Sequence, residues 1–204
     1  MIITISREYG AGGSEVARRV AEILGWRLVD NEVVDQVAAE AGLPPEEVAR
    51  KEERAPGFLE RLTRALARAA PELFPRAPER VPEPEEATIV RVTERVVEKL
   101  ARGDHVVIVG RAAPAVLAQR DALHIKLVAP KPVRIRRAMA RLQLGEPEAI
   151  RVLEETDGAR ARYHKRYYGR DWQDAAHYHM VLNTDALGIE GAVQLIVSRT
   201  RADR

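Results

Sequence analysis

The stretch Ile2-Ile3-Thr4-Ile5-Ser6-Arg7-Glu8-Tyr9-Gly10-Ala11-Gly12-Gly13-Ser14-Glu15-Val16-Ala17 decides how this chain folds. A short apolar strand enters a glycine-rich turn, and the turn enters a helix. Glycines let the turn take positive φ and bring backbone N–H groups close to an anion, while the helix opening near Ser14 adds the positive end of its dipole. A phosphate-binding loop begins this way, and its usual form is G-x-x-x-x-G-K-[ST]. Aligned on Gly12, the chain has Arg7 where the first Gly belongs, Gly13 where the Lys belongs and Ser14 at the magnesium-binding hydroxyl. The usual cation of the loop is missing. Two other readings compete: a plain flexible turn, and a dinucleotide-binding turn in which Gly10, Gly12 and Asp30 imitate G-x-G with a ribose-binding acid. The latter requires its third glycine at Glu15, where a carboxylate blocks close helix–strand packing and repels pyrophosphate.

Outward from the loop, strands alternate with helices. Strand Ile2 to Ser6 and a helix from about Ser14 to Leu24, with Val16, Val20, Ile23 and Leu24 inward and Gly25 closing it, are followed by a short strand, Trp26 to Val29. Asp30 can cap a helix carrying Val33, Val34 and Val37. A helix opening at Pro44-Pro45-Glu46-Glu47, the stripe Phe58, Leu62, Leu66, Ala69, Leu73, and the proline-rich run Pro75 to Pro84 read as a helical insertion at about 44–84. That stripe is either core or the face of a homodimer. A helix from Glu85 to Arg102 leads to His105-Val106-Val107-Ile108-Val109, a continuous apolar run as in a buried parallel strand, ending at Gly110-Arg111. A short helix Pro114 to Ala118, a strand Ala122 to Val128 and an Arg-rich helix from Pro132 follow, then a polar helix Glu148 to Tyr168, a strand Tyr178 to Leu182 and a last helix Ile189 to Thr200. The class is α/β with a parallel sheet flanked by helices, one domain over 1–204.

Composition sets bounds on function. The 204 residues, 46% hydrophobic, suffice for one full core, and the formal charge of only +2 gives no general argument for nucleic acid. Arginine outnumbers lysine, which suits local phosphate contacts through the bidentate guanidinium fork. There is no cysteine, which excludes disulfides, thiol catalysis and Cys-based metal sites. No signal-peptide pattern and no apolar run near the roughly 18 residues of a membrane span are present, so the expectation is a cytoplasmic protein with no membrane partner.

The opening, the Gly110-Arg111 strand end, and the tail Asp157-Gly158-Ala159-Arg160-Ala161-Arg162-Tyr163 with Trp172, Tyr178 and Leu182-Asn183-Thr184-Asp185 together resemble the cytidylate kinase-like family, over nearly the whole chain. The resemblance implies a P-loop kinase fold with a five-stranded parallel sheet, a helical section that binds the nucleoside monophosphate, and an Arg-rich lid, here about 130–172. It also implies ATP and Mg2+ as cofactors and a small-molecule nucleotide as substrate, chiefly CMP or dCMP. On that likeness Gly10, Ala11, Gly12, Gly13 and Ser14 line the ATP phosphates, Arg111 matches the arginine of a Gly-Arg-Asp motif that holds the acceptor phosphate, and Arg160 and Arg162 match lid arginines. Departures are equally specific. Gly13 replaces Lys, Ala112 replaces Asp, Glu15 replaces Thr, and Asn31-Glu32-Val33-Val34-Asp35-Gln36 stands where Ser-Gly-x-x-Tyr-Arg is expected, so Gln36 replaces an acceptor-site arginine.

Each candidate has an ordinary counterpart. Arg7, at the strand–loop junction, is placed to swing into the space of the missing Lys. Glu15 either points outward or holds a water on magnesium. Arg111 is either a surface arginine or, at the C-terminal end of an apolar strand, a ligand group. Arg134, Arg137 and Arg141 lie at i, i+3 and i+7, so they form either a phosphate-facing row or a solvated face paired with Glu146 or Glu148. Arg160 and Arg162, two apart, point to different sides of a helix, and Arg160 is the one expected to face phosphate, with Asp157 positioning it or capping the segment. The five histidines lack metal-ligand spacing. Phosphoryl transfer requires positioning and cations more than covalent chemistry, with a placed Arg worth about 10³-fold or more, so this residue set fits a kinase. A nucleotide-binding regulatory protein that has lost transfer, and a kinase with another acceptor, are the alternatives.

Overall fold

The structure, a computed structural model, describes residues 1–30 and 86–202. The expected helical insertion at 44–84, the Phe58 to Leu73 stripe and the Asn31 to Gln36 segment lie outside the described residues. The chain divides into two compact units, Met1–Val29 with Val97–Arg204, and Asp30–Val96. Of the second, the described residues are Asp30 and the first part of helix α2 (Glu86–Leu100).

The first unit is a five-stranded parallel sheet in the order β2-β3-β1-β4-β5. Its strands are β1 (Ile2–Arg7), β2 (Arg27–Val29), β3 (Val106–Val109), β4 (Ala122–Val128) and β5 (Met180–Asn183), flanked by helices α1 (Gly13–Leu24), α3 (Ala113–Val116), α4 (Lys131–Leu142), α5 (Glu146–Tyr168) and α6 (Gly188–Ala202). β1 is central, with β2 and β3 to one side and β4 and β5 to the other, so the strand order reverses beside it. Open α/β sheets bind ligands at the carboxyl ends of strands at that point, and here the glycine turn leaves β1 there.

The two faces of the sheet differ in chemistry. Ile3, Ile5, Val107, Val109, Leu123, Ile125 and Leu127 meet Val16, Ala17 and Val20 of α1 and Val193, Ile196 and Val197 of α6 in the main core. Alternation then assigns Thr4 and Ser6 to the other face, where the register pairs Thr4 with His124 and Ser6 with Lys126. All four side chains are buried. The segment after α5 supplies partners on this face: Trp172 donates its Nε1–H to Ser6 Oγ (2.8 Å), and the His124 main-chain N–H donates to His179 Nδ1 (2.8 Å).

Several boundaries depart from expectation for local reasons. α4 and α5 each begin earlier than Pro132 and Glu148 because Pro132 and Pro147 occupy the first turn, where a missing N–H costs nothing. β5 starts at Met180 rather than Tyr178, because Asp174 caps a 3-10 turn at Ala175–His177 and holds the preceding chain out of the sheet. His105 was expected in β3; its φ of 68° makes it a turn residue instead. In α1 the inward row is Val16, Ala17, Val20 and Ala21, whereas Ile23 is 48% exposed. Gly25 closes α1 as expected, at φ 65°, with Gly25 N–H donating to Glu22 O and Trp26 N–H to Ala21 O.

Candidate functional site

The loop Glu8 to Ser14 is held by its carbonyls. Arg160 donates to Arg7 O (3.0 Å), Arg134 to Tyr9 O (3.4 Å), Arg137 to Gly10 O (3.4 Å), and Thr184 Oγ1–H to Ala11 O (2.8 Å). Ala11 N–H closes the turn onto Glu8 O, and Val16 N–H makes the first helical bond to Gly12 O. Groups from α4, α5 and the β5–α6 connection thus bind the oxygens of the loop. Its nitrogens are treated differently: no side chain caps α1, and among the described residues the amides of Gly10, Gly12, Gly13, Ser14 and Glu15 meet no protein acceptor. A run of unclaimed amides at a helix start, with carbonyls drawn away, is a site for an anion.

Gly10 and Gly12 both have a positive φ, and at Gly10 a backbone contact requires glycine as well, whereas at Gly12 the contact is with the movable end of a side chain. A Cβ on Gly10 (φ 77°) would stand 2.7 Å from Arg134 O, and one on Gly12 (φ 78°) 2.5 Å from Ile189 Cδ1. The loop is therefore pressed against α4 and α6. Ser14 and Glu15, in the first turn of α1, are both exposed, so Glu15 points outward and is clear of the loop interior.

Asp157 on α5 is the centre of the supporting network. Its Oδ1 accepts Tyr9 N–H (2.9 Å) and an Arg160 N–H (3.1 Å), and its Oδ2 accepts from Arg134 (2.6 Å). Arg134 also donates through Nε to Ala129 O (3.0 Å), and its Nε lies 3.4 Å from Glu8, whose carboxylate accepts Ala129 N–H (3.3 Å). Burial lowers the pKa of the Arg160 guanidinium, and the adjacent Asp157 carboxylate opposes that shift. Arg137 spans to Thr184, bonding its Oγ1 (3.1 Å) and its carbonyl (3.3 Å). The reading of Arg134 and Arg137 as a solvated face is overturned: Arg134 is buried and Arg137 half-buried, and only Arg141 of the row is exposed. Arg160 faces the end of β1, whereas Arg162 is exposed and folds back over Gly158, where a Cβ would lie 3.2 Å from its guanidinium.

On the other flank, β3 ends in three consecutive left-handed residues, Gly110 (φ 75°), Arg111 (φ 55°) and Ala112 (φ 50°). Left-handed backbone at a residue with a Cβ costs roughly 1–2 kcal/mol, and such strain concentrates where a turn must present a side chain. Arg111 is half-buried at this turn, beside the end of β1, since Gly110 N–H donates to Ile5 O (3.0 Å). Arg7 lies against both flanks. A Cβ on Gly13 would meet Arg7 Cγ at 2.5 Å and Cβ at 2.9 Å, and one on Gly110 would fall on the Arg7 guanidinium.

The sequence reading did not single out Thr184, Glu8 or Lys126. Lys126 is fully buried; its Nζ donates to Trp172 O (2.6 Å) and Gln173 Oε1 (2.7 Å) and sits 4.2 Å from the centre of the Trp172 ring. Burial lowers its pKa to about 8, against the pull of Glu8, Asp171 and Asp157. The available signal was a charged residue two after His124 inside an otherwise apolar strand, which marks a polar sheet face. Trp172 and Tyr178 are packing groups of this face: Tyr178 O–H donates to Trp172 O (3.0 Å).

For a nucleotide with its magnesium, the residues present fit in one respect and are sparse in another. The unclaimed amides suit phosphate, and the exposed Ser14 hydroxyl is an oxygen that a divalent ion could take as a ligand. Among the described residues, no group of three or more His, Asp or Glu side chains could hold a metal by itself. A divalent ion here would come with its phosphates.

The comparisons agree with this geometry. A sequence model of the cytidylate kinase-like family matches residues 2–186. The chain belongs to that family. The relatives of this cytidylate kinase-like protein include proteins named cytidylate kinase from Methanothrix thermoacetophila, 27% identical with 99% of each chain covered, and from Aeropyrum pernix, 25% identical with 97% of each covered. A solved structure from Eubacterium ventriosum superimposes with a TM-score of 0.68 at 21% identity, covering 98% of this chain and 97% of its own. Shikimate kinase from Acinetobacter baumannii does so with a TM-score of 0.53 at 16% identity, covering 100% of this chain and 94% of its own. At those identities the likeness is one of fold: a P-loop kinase architecture. The family is one of kinase-like nucleotide-binding proteins. No described helix is long and apolar enough to cross a membrane.

Proposed function

We propose that this protein transfers the γ-phosphoryl group of Mg-ATP to CMP, dCMP or a closely related small acceptor. The observation that carries the reading is the loop with every carbonyl from Arg7 to Gly12 engaged by protein groups and its amides from Gly12 to Glu15 unclaimed. Such a loop would receive the β- and γ-phosphates on its nitrogens, and the Ser14 hydroxyl would be the side chain that holds magnesium, whose chemistry would be to neutralise phosphate charge. Arg111, presented by its left-handed turn, receives the acceptor phosphate. In the transfer the bond from Pγ to the β-phosphate oxygen breaks, its electron pair leaves with ADP, and an oxygen of the acceptor monophosphate bonds to Pγ. An ionised phosphate oxygen needs no general base, which suits a site with no histidine among these groups. Asp157 positions rather than reacts: its carboxylate is occupied by Tyr9, Arg134 and Arg160. Arg160, bonded through one nitrogen to Arg7 O and Asp157, keeps further N–H groups for the transferring phosphoryl.

A second reading has specific support. Gly13 in the Lys position, together with Arg134 and Arg137 engaged by the protein, suits a nucleotide-binding regulator that transfers nothing. Labelled Mg-ATP offered with CMP, dCMP, UMP, AMP, GMP and small alcohols separates the two. Transfer to CMP or dCMP that Arg111→Met reduces at least 100-fold establishes the kinase. Saturable ATP binding without transfer to any acceptor establishes the regulator.

A further inference from the structure

We infer that Arg7 is the phosphate-loop cation of this protein, replacing the absent lysine from the opposite side of the loop and reaching the phosphoryl group between donor and acceptor. The inference rests on the reading above. Alternation along β1 puts Arg7 on the same sheet face as Ile3 and Ile5, the face that packs on α1, so its side chain leaves the strand towards the first turn of that helix. There it crosses Gly13. The Cβ that any other residue would carry at position 13 would lie 2.5 Å from Arg7 Cγ, 2.9 Å from its Cβ and 3.3 Å from its Cδ. The stem of Arg7 therefore occupies the space through which a lysine at position 13 would leave the helix, and Gly13 is the complement of that arginine.

The guanidinium continues to the end of β3. A Cβ on Gly110 would collide with its terminal nitrogen and lie 3.2 Å from Cζ and 3.5 Å from the second nitrogen. Two glycines on different elements thus leave one channel, and a single side chain threads it from the loop that would bind the donor to the turn that presents Arg111. Its backbone is fixed at the same time, by the Arg160 bond to Arg7 O (3.0 Å) and by strand pairing with β4. A planar cation held there offers a fork to non-bridging phosphate oxygens during transfer, which a lysine point charge would not.

Arg7→Met tests this, because its unbranched stem still covers Gly13 while the charge is lost. Thermal unfolding without ligand, binding of Mg-ATP by calorimetry, and phosphoryl transfer are each read for the parent and the variant. The expected result is a protein that still unfolds cooperatively without ligand, with Mg-ATP affinity at least tenfold weaker and transfer lower by about 10³-fold. Rescue comes from moving the charge: the double variant Arg7→Gly, Gly13→Lys, which removes the Cβ at position 7 as well as the stem, regains at least part of the transfer that Arg7→Gly loses, while Gly13→Lys alone, clashing with Arg7, gains nothing over the parent. Added guanidinium ion also restores part of the activity of Arg7→Ala, a response that a packing role would not give. An Arg7→Met protein that binds Mg-ATP and transfers like the parent overturns the inference and leaves the kinase reading standing. If Arg7→Met does not fold, the double variant decides, since a folded protein with a lysine at 13 and no transfer overturns the inference equally. A parent that binds no nucleotide overturns both.

Discussion

Replacing Asp157 by alanine tests the claim that the phosphate loop is held from behind by an ion network. The carboxylate is 14% exposed and accepts one main-chain and two guanidinium hydrogen bonds, from Tyr9 (2.9 Å), Arg134 (2.6 Å) and Arg160 (3.1 Å). Its loss strands the Tyr9 N–H and leaves two cations, 10% and 25% exposed, facing each other without the anion between them. Removing one partner of a buried pair costs about 3–5 kcal/mol, and an orphaned buried N–H about 1–3 kcal/mol. Arg134 keeps Ala129 O and Glu8, so the lower part of the range applies, about 4 kcal/mol in total. For a chain of this size each kcal/mol moves Tm by about 2–4 °C, which gives a fall of about 8–16 °C. Asp157→Asn keeps an acceptor for Tyr9 and loses only the charge, so it falls by about half as much. Thermal and urea unfolding of both variants, and of each combined with Arg134→Met, supply the measurement, and the coupling between positions 134 and 157 should reach at least about 1 kcal/mol. An Asp157→Ala protein melting within about 3 °C of the parent would refute the network.

Acid should destabilise the protein before its carboxylates titrate. Burial lowers the pKa of both His124 and His164 to about 4 from 6.5, so between those values the unfolded chain binds more protons and stability falls as pH falls. From pH 7 to pH 5 each should cost about 2 kcal/mol, measured by urea unfolding, and His164→Phe should remove its share of the slope. Lys126, with a folded pKa of about 8 against 10.5, gives the same sign in another window: stability should rise between those values as the buried amine is freed of its proton. Lys126→Met should abolish that rise and stabilise the protein at pH 7 by about 1–3 kcal/mol, since Trp172 O retains the Tyr178 hydroxyl. Gly10→Ala and Gly25→Ala share a positive φ, but only at Gly10 does a backbone stand in the way, so Gly25→Ala should cost about 1 kcal/mol and Gly10→Ala at least twice that in chemical denaturation.

The alternation of strands and helices, the α/β class, the closing role of Gly25 and the glycine loop after β1 were all legible in the sequence, because each rests on chemistry local to a few consecutive residues. Strand positions could be read from continuous apolar runs, and the loop from the backbone freedom that glycine alone supplies. Where local chemistry competed, boundaries moved: Asp174 delayed β5, and left-handed His105 shortened β3.

The assignment of charges was decided by tertiary structure. Helical spacing put Arg134, Arg137 and Arg141 in one row; only packing against the loop made the first two its braces and left the third exposed. The same holds for Arg160 and Arg162, two residues apart, of which one binds Arg7 O and the other lies over Gly158. Lys126 and His124 were visible as polar residues in an apolar strand, but their partners, Trp172 and His179, come from a segment about fifty residues away. A sequence lists which groups carry charge. Which charge is desolvated, and which carbonyl or carboxylate compensates it, depends on contacts between elements distant in the chain. For that reason the phosphate loop, and Arg7 as the candidate for its missing cation, could be read from the residues, while the path of that side chain past Gly13 and Gly110 was decided by the tertiary structure.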